Sequence, residues 1–287
     1  MGGEVFDTIY RNVPEQRRQQ LRHFRATHPY RRLTTRGVEW EYIASGQGEQ
    51  ALLILGGAMS TSFDHILRAE AEYRVLSPTY PPVGKMGPLT DGLAAILDAE
   101  GIERAHVFGH SLGAAIGHVL IRRHPTRVGK LVLSGFGLYN ERTVRLTRRL
   151  LRLFELLPYR LVTGYYKGRM ARLLAGLEEG ERAFYLTYMN DVIDRQLTRR
   201  ILLGQFKLLV DMLDQAGAYR VFEPLDDTDR VCIIQAADDT GFAPDEQAAL
   251  RATYPGAQVH IFEAGGHLAG VTRRDEFLTA LYGFLRG

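Results

Sequence analysis

The chain has 287 residues, 45% of them apolar and 24% charged, with a formal net charge of +3. A chain of this length buries roughly three quarters of its unfolded surface and suits one large domain, or a core plus a lid, without disulfide staples. One cysteine excludes a disulfide framework, and no stretch approaches the ~18 uninterrupted apolar residues of a membrane span. No basic start followed by an apolar run opens the sequence, and an unpaired thiol fits a reducing compartment, so a cytoplasmic protein is expected. The charge is uneven: residues 1–36 and 138–225 are Arg-rich, and the remainder is acidic on balance.

Residues 13–27 read as a polar helix after Pro14, within an N-terminal helical extension over 1–36. From Val38 to Ile43 apolar and polar residues alternate, as in a half-exposed strand. Ala51-Leu52-Leu53-Ile54-Leu55 is continuously apolar, which suits a strand buried on both faces, and it ends in Gly56-Gly57. The same alternation of strand and helix continues. A helical segment lies near 62–72, Tyr73–Leu76 is a strand, and Leu89–Ala99 is a helix. His106–Phe108 is a strand, Ser111–Arg123 a helix and Lys130–Leu133 a strand. From about Gly137 to Glu223 only helical periodicity is found. The alternation then resumes with strands at Val231–Gln235 and Val259–Phe262, and helices at Pro244–Thr253 and Asp275–Leu285. This order predicts an α/β core over 37–137 and 226–287, with a mostly parallel sheet, and a helical cap over 138–225.

Gly109-His110-Ser111-Leu112-Gly113 is the strongest chemical signal, because a strand runs into it and a helix leaves it. Such an elbow exposes the serine Oγ above the sheet edge in a strained conformation, and it needs glycine at both flanks. A serine hydroxyl is a weak nucleophile until a base, oriented by an acid, takes its proton. In a Ser, acid, His order the base is His267, which follows Gly265-Gly266 after the last strand. The acid is Asp238 or Asp239 after the preceding one, with Glu141 a distant alternative. The backbone N–H of Leu112 supplies one oxyanion donor, and the loop after the first buried strand should supply the second, with Ala58 the best candidate. Gly57 and Met59 in that loop, and His110 beside the serine, are expected to touch substrate. The remaining histidines read as surface or core residues. No metal cluster, cofactor fingerprint or nucleic-acid motif is present, and oligomeric state is left open.

These residues together resemble the α/β-hydrolase superfamily over about 38–287. The resemblance implies an eight-stranded, mostly parallel sheet with the cap inserted after strand six, and its spacing favours Asp239 as the acid. Two features depart from the usual pattern. Gly56 stands where a histidine is common, and Ser77-Pro78-Thr79-Tyr80-Pro81-Pro82 replaces a Gly-rich stretch, a form similar to the maspardin-like branch, whose members are suspected of binding roles. The expected activity is hydrolysis of a small to medium, largely apolar carboxylic ester through an acyl-enzyme on Ser111. A carbon–carbon bond hydrolase or acyl transferase with the same triad, and a non-catalytic binding protein, are the alternatives.

Two features of the cap stand out. Arg145, Arg148, Arg149 and Arg152 are spaced as one helix face, which reads either as a solvated surface or as a contact for an anionic membrane or acidic partner. Phe184, Tyr185, Tyr188 and Met189 form an aromatic group, which reads either as cap core or as the wall of an acyl pocket; Tyr185 and Tyr188 are the substrate-binding candidates.

Overall fold

The computed structural model describes residues 3–57 and 62–287. In chain order the elements are α1 (Gly3–Ile9), α2 (Glu15–Thr27), β1 (Arg31–Thr35), β2 (Val38–Ser45), β3 (Ala51–Leu55), α3 (Ser62–Ala69), β4 (Arg74–Pro78), α4 (Met86–Ala99), β5 (Ala105–His110), α5 (Leu112–Arg123) and β6 (Val128–Ser134). Four helices follow: α6 (Glu141–Leu156), α7 (Tyr159–Leu173), α8 (Glu179–Arg195) and α9 (Arg199–Asp214). The chain closes with β7 (Val231–Ala236), α10 (Pro244–Ala252), β8 (Gln258–Phe262), α11 (Ala269–Thr272) and α12 (Arg274–Arg286).

The eight strands form one sheet in the order β1-β2-β4-β3-β5-β6-β7-β8. β2 runs antiparallel to β1 and β4, and every pair from β4 through β8 is parallel. The parallel centre follows from composition. All five residues of β3 and all six of β7 are buried, so both faces are covered and neither strand can alternate. Each fully buried Leu or Ile in these strands contributes roughly 1.5–3 kcal/mol. One face packs on α4 and α5 through residues such as Leu53, Leu93, Ile116 and Leu131. The other packs on α3 and α12 through Ile54, Phe63, Phe108 and Phe277.

The predicted N-terminal helical extension needs correction at its end. Residues 31–35 are strand β1, an edge strand of the sheet, paired with β2 from Arg31↔Tyr42 to Thr35↔Val38. Arg31-Arg32-Leu33-Thr34-Thr35 carries only one apolar side chain, so it has no hydrophobic face to announce it; edge pairing alone makes it a strand.

Three of the four helices between β6 and β7, α6, α8 and α9, start at side-chain caps. Asn140 accepts from the Thr143 N–H at 3.0 Å and Thr198 from the Ile201 N–H at 3.2 Å. The four share a small core of their own, built from Phe154, Val162, Tyr166, Ile193, Leu197 and Leu202. Helix α8 is also tied to the N-terminal helices by buried polar contacts. Asp191 accepts from the Tyr10 hydroxyl at 2.9 Å and from Arg25 at 2.8 Å. Asp64 takes both Arg17 N–H groups at 2.8 Å and the Tyr185 hydroxyl at 2.8 Å. Burial opposes ionisation of Asp64, but the hydrogen bonds and charge of Arg17 hold its carboxyl below the usual range.

Candidate active site

The site is built at the carboxyl edge of the parallel strands. β5 ends at His110, Ser111 turns the chain, and α5 begins at Leu112. Ser111 has φ 54° and ψ −115°, a region that costs a non-glycine residue about 1–3 kcal/mol. Its amide donates to the Ser134 carbonyl at 2.9 Å, which holds the turn against β6. The flanking glycines are required by contact. A Cβ on Gly109 would lie 2.5 Å from the Gly113 carbonyl oxygen, and one on Gly113 would lie 1.9 Å from that of Leu55.

Two loops bring Asp239 and His267 to this serine. His267 Nε2 lies 3.0 Å from Ser111 Oγ. His267 Nδ1 lies 3.1 Å from each carboxylate oxygen of Asp239. An ionised carboxylate only accepts hydrogen bonds, so Nδ1 carries the proton and Nε2 presents its lone pair to the serine hydroxyl. Asp239 has a side chain only 3% exposed, and it also accepts from the Gly241 N–H at 2.6 Å. These contacts fix its rotamer and satisfy its charge. Asp238 does different work. It accepts from the backbone N–H groups of Gly266 at 2.8 Å and Gly265 at 3.3 Å, and so holds the loop that carries His267. Glu141 is not brought to the site; it starts α6, exposed, beside Arg145.

Leu112 opens α5, so its N–H is one of those that a helix start leaves without an intrahelical acceptor, directed beside the serine. The other proposed donor, Ala58, and the substrate candidate Met59 lie outside the described residues. Gly57 does abut the site: a Cβ built on it would be 3.6 Å from His110 Cδ2 and 3.7 Å from Ser111 Cβ. Just before it, the Gly56 carbonyl accepts from the buried Tyr80 hydroxyl at 2.8 Å. Tyr80 thus pins that carbonyl from the Ser77–Pro82 segment. His110 packs beside the base, its ring centre 5.3 Å from that of His267, with Nδ1 3.4 Å from Ser134 Oγ. Burial, helped by the neighbouring His267, pushes its imidazolium down to about 3, so the ring is neutral at physiological pH.

A cavity of about 90 Å³ opens onto Ser111, walled by Leu112, Phe136, Tyr139, Tyr166, Gln205, Phe206, Leu209 and Phe242. The insertion supplies Tyr166 from α7 and Gln205, Phe206 and Leu209 from α9. Loops after β6 and β7 supply Phe136, Tyr139 and Phe242. Gln205 is 92% buried, at 8% exposure, and its Oε1 has no hydrogen-bond partner among the described residues.

Tyr185 and Tyr188 do not line this cavity, a correction to their reading as substrate contacts. Both sit on the face of α8 that packs against α3 and the N-terminal helices. Tyr185 bonds Asp64, and the Tyr188 ring lies 5.5 Å from that of Phe63. Aromatic spacing on one helix identifies a buried face but not its partner. Of the true wall, Phe136 and Phe242 were findable as aromatics in the loops just past β6 and β7, whereas Gln205, Phe206 and Leu209 carry no local signal.

The sequence model of the alpha/beta hydrolase family matches residues 14–280. A 2-hydroxy-6-oxononadienedioate/2-hydroxy-6-oxononatrienedioate hydrolase of Burkholderia vietnamiensis is 35% identical over 131 residues, which is 39% of this chain and 46% of that protein. The alignment thus spans less than half of that relative. The enzyme of the same name from Cupriavidus pinatubonensis is 28% identical over 235 residues, 75% of this chain and 77% of that one. A solved hydrolase from Pseudomonas aeruginosa superposes with a TM-score of 0.72 at 22% identity, covering 91% of this chain and 100% of that one. Among the described residues no helix is long and apolar enough to cross a membrane, and no cluster of His, Cys, Asp and Glu has the makings of a metal site. With its eight-stranded, mostly parallel sheet and a serine elbow on the fifth strand, the chain belongs to the alpha/beta hydrolase family.

Proposed function

We propose that the protein is a serine hydrolase in which Ser111 attacks a carbonyl carbon, His267 moves the proton and Asp239 orients the base. The observation that carries this reading is the continuous chain from Asp239 through His267 to Ser111, with contacts of 3.1 and 3.0 Å. The Ser111 proton passes to Nε2 as the Oγ–carbon bond forms. The imidazolium, stabilised by Asp239, then gives that proton to the leaving group as the second bond breaks. The Leu112 N–H stabilises charge on the carbonyl oxygen, with Ala58 proposed as its partner; loss of one such donor costs roughly 3 kcal/mol. Water then releases the acyl group by the same route.

The bond we favour is a carbon–carbon bond next to a ketone, and this replaces the ester expected from sequence. The relatives are named for hydrolysis of hydroxy-oxo dienedioates. Such an acid contains no ester, so water can only part it beside the oxo group. The electron pair of the broken bond goes to carbon, which requires a conjugated carbonyl to hold it until His267 protonates that carbon. The unpaired Gln205 Oε1 supports a substrate with a hydroxyl or amide donor placed against α9, because a buried acceptor left without a partner is costly. An ester reading retains the same triad and is supported by the largely apolar walls. The four helices over 141–214 are proposed as the cap that closes the cavity over Ser111.

The test is fluorophosphonate labelling read by intact mass, followed by turnover of a 2-hydroxy-6-oxo dienoate and of matched esters. Stoichiometric labelling at Ser111 is expected. Ser111→Ala should lower turnover by roughly 10⁶-fold. Absence of labelling in the folded protein refutes the hydrolase, whereas labelling with ester turnover alone refutes only the choice of bond.

A further inference from the structure

Helix α6 carries its unusual residues outward. Arg142, Arg145, Leu146, Arg149, Arg152, Leu153 and Leu156 are all exposed. At about 100° per residue they fall in one stripe some 120° wide. Thr147, Leu151 and Phe154 face inward instead, where α6 packs on α9. The acids of α6 lie off the stripe: Glu141 meets Arg145, and Glu155 meets Lys207. Arg148 also lies off it, paired with Asp214. Among the described residues, Arg142, Arg149 and Arg152 have no ion pair.

The apolar members are as informative as the charges. Leu156 is 83% exposed, and Leu146 and Leu153 are about half exposed. Just past the turn after α6, Arg160, Leu161 and Tyr165 on α7 extend the same mixture into solvent. Single exposed leucines are ordinary, but a ridge of them among unpaired arginines is not what a merely solvated face needs. A second copy of the chain is disfavoured as the occupant, because a self-pairing of this stripe sets arginines against arginines. The surface is also a convex helix rather than a groove, so it suits a broad, deformable, negatively charged partner with an apolar interior.

We propose that the α6 stripe, continued by the start of α7, docks the protein on an anionic lipid surface, with the leucines entering the headgroup boundary and the arginines meeting lipid phosphates. The inference is independent of the bond cleaved at Ser111. Attachment would be peripheral, and it places the helices that wall the Ser111 cavity next to the bilayer.

The test is co-flotation of the full chain with vesicles of phosphatidylcholine alone and of an equimolar mixture with phosphatidylglycerol. Binding to the mixed vesicles only is expected, weakening as salt is raised. The triple variant Arg142→Gln/Arg149→Gln/Arg152→Gln should bind on the order of 100-fold more weakly. Leu146→Ser/Leu153→Ser/Leu156→Ser should also detach from the mixed vesicles, and Ser111→Ala should bind as wild type. All changed stripe residues are exposed, so an unchanged circular dichroism spectrum and melting temperature certify the variants. Wild type that stays out of the anionic vesicle fraction overturns the proposal. So does a leucine variant that binds as tightly as wild type, since that outcome assigns the stripe to plain charge pairing, as an acidic protein would offer.

Discussion

Replacing Asp239 by Asn tests the reading of the site with little change of shape. The carboxylate oxygen that accepts the Gly241 N–H at 2.6 Å has to remain an acceptor, so the amide oxygen of Asn takes that place and the NH₂ group turns to His267 Nδ1. Nδ1 then becomes the acceptor and the ring proton moves to Nε2, where it faces Ser111 Oγ instead of a lone pair. A base with the wrong tautomer cannot take the serine proton. In serine hydrolases of this design that loss is about 10⁴-fold in kcat, or about 5 kcal/mol of barrier. The assay is steady-state turnover of the 2-hydroxy-6-oxo dienoate, or of the ester if that is what wild type cleaves, together with the rate of fluorophosphonate labelling, and both should fall together. Asp238→Asn is the control. That side chain only holds the backbone of Gly265 and Gly266, so its loss should cost about tenfold through loop placement. A kcat for Asp239→Asn within tenfold of wild type, or equal losses for the two variants, would refute the assignment.

Gly113→Ala should fail to give soluble protein, because the new Cβ would lie 1.9 Å from the Leu55 carbonyl oxygen and both elements are packed; soluble expression measured against wild type checks it. Asp191→Asn should lower unfolding stability in urea by roughly 3 kcal/mol, the low end for a broken buried pair because its partners Arg25 and Arg195 are 24% and 43% exposed. His65 is half-buried against Phe108 and Phe277, and the loss of water around its ring lowers its pKa from 6.5 to about 4. Below pH 6.5 the unfolded chain therefore binds the proton that the folded chain refuses, so stability present above pH 6.5 is lost as pH falls toward 4. In His65→Phe, stability in urea should decline less steeply across that window, by up to about 1 kcal/mol per pH unit.

Much of the site was readable because its signals are local. The elbow is five consecutive residues whose backbone demands glycine. Asp239 follows a strand whose apolar run is unambiguous and His267 a shorter one read from Val259 to Phe262, and strand ends in a parallel sheet share one edge. The cavity wall was not readable in the same way. Phe206 and Leu209 lie on a helix whose orientation depends on what α4, α5 and α6 present to it, which is a tertiary fact. The α8 aromatics show the converse error. Their spacing marks burial, but burial against Arg17, Asp64 and Phe63 looks the same in sequence as burial against substrate. β1 was missed because an edge strand with two arginines and two threonines follows from hydrogen bonding to β2, not from a hydrophobic pattern.

The polar contacts that tie the first two helices to α8 make the N-terminal segment a structural counterweight rather than an appendage. Arg17 holds the Asp64 carboxyl ionised, and Arg25 meets the buried Asp191 at 2.8 Å. Trimming the chain before β1 would remove the ion-pair partner of Asp64 and leave Asp191 with Arg195 alone. A fragment that keeps the whole sheet but lacks the first two helices therefore loses contacts that the α8 side of the molecule is built on.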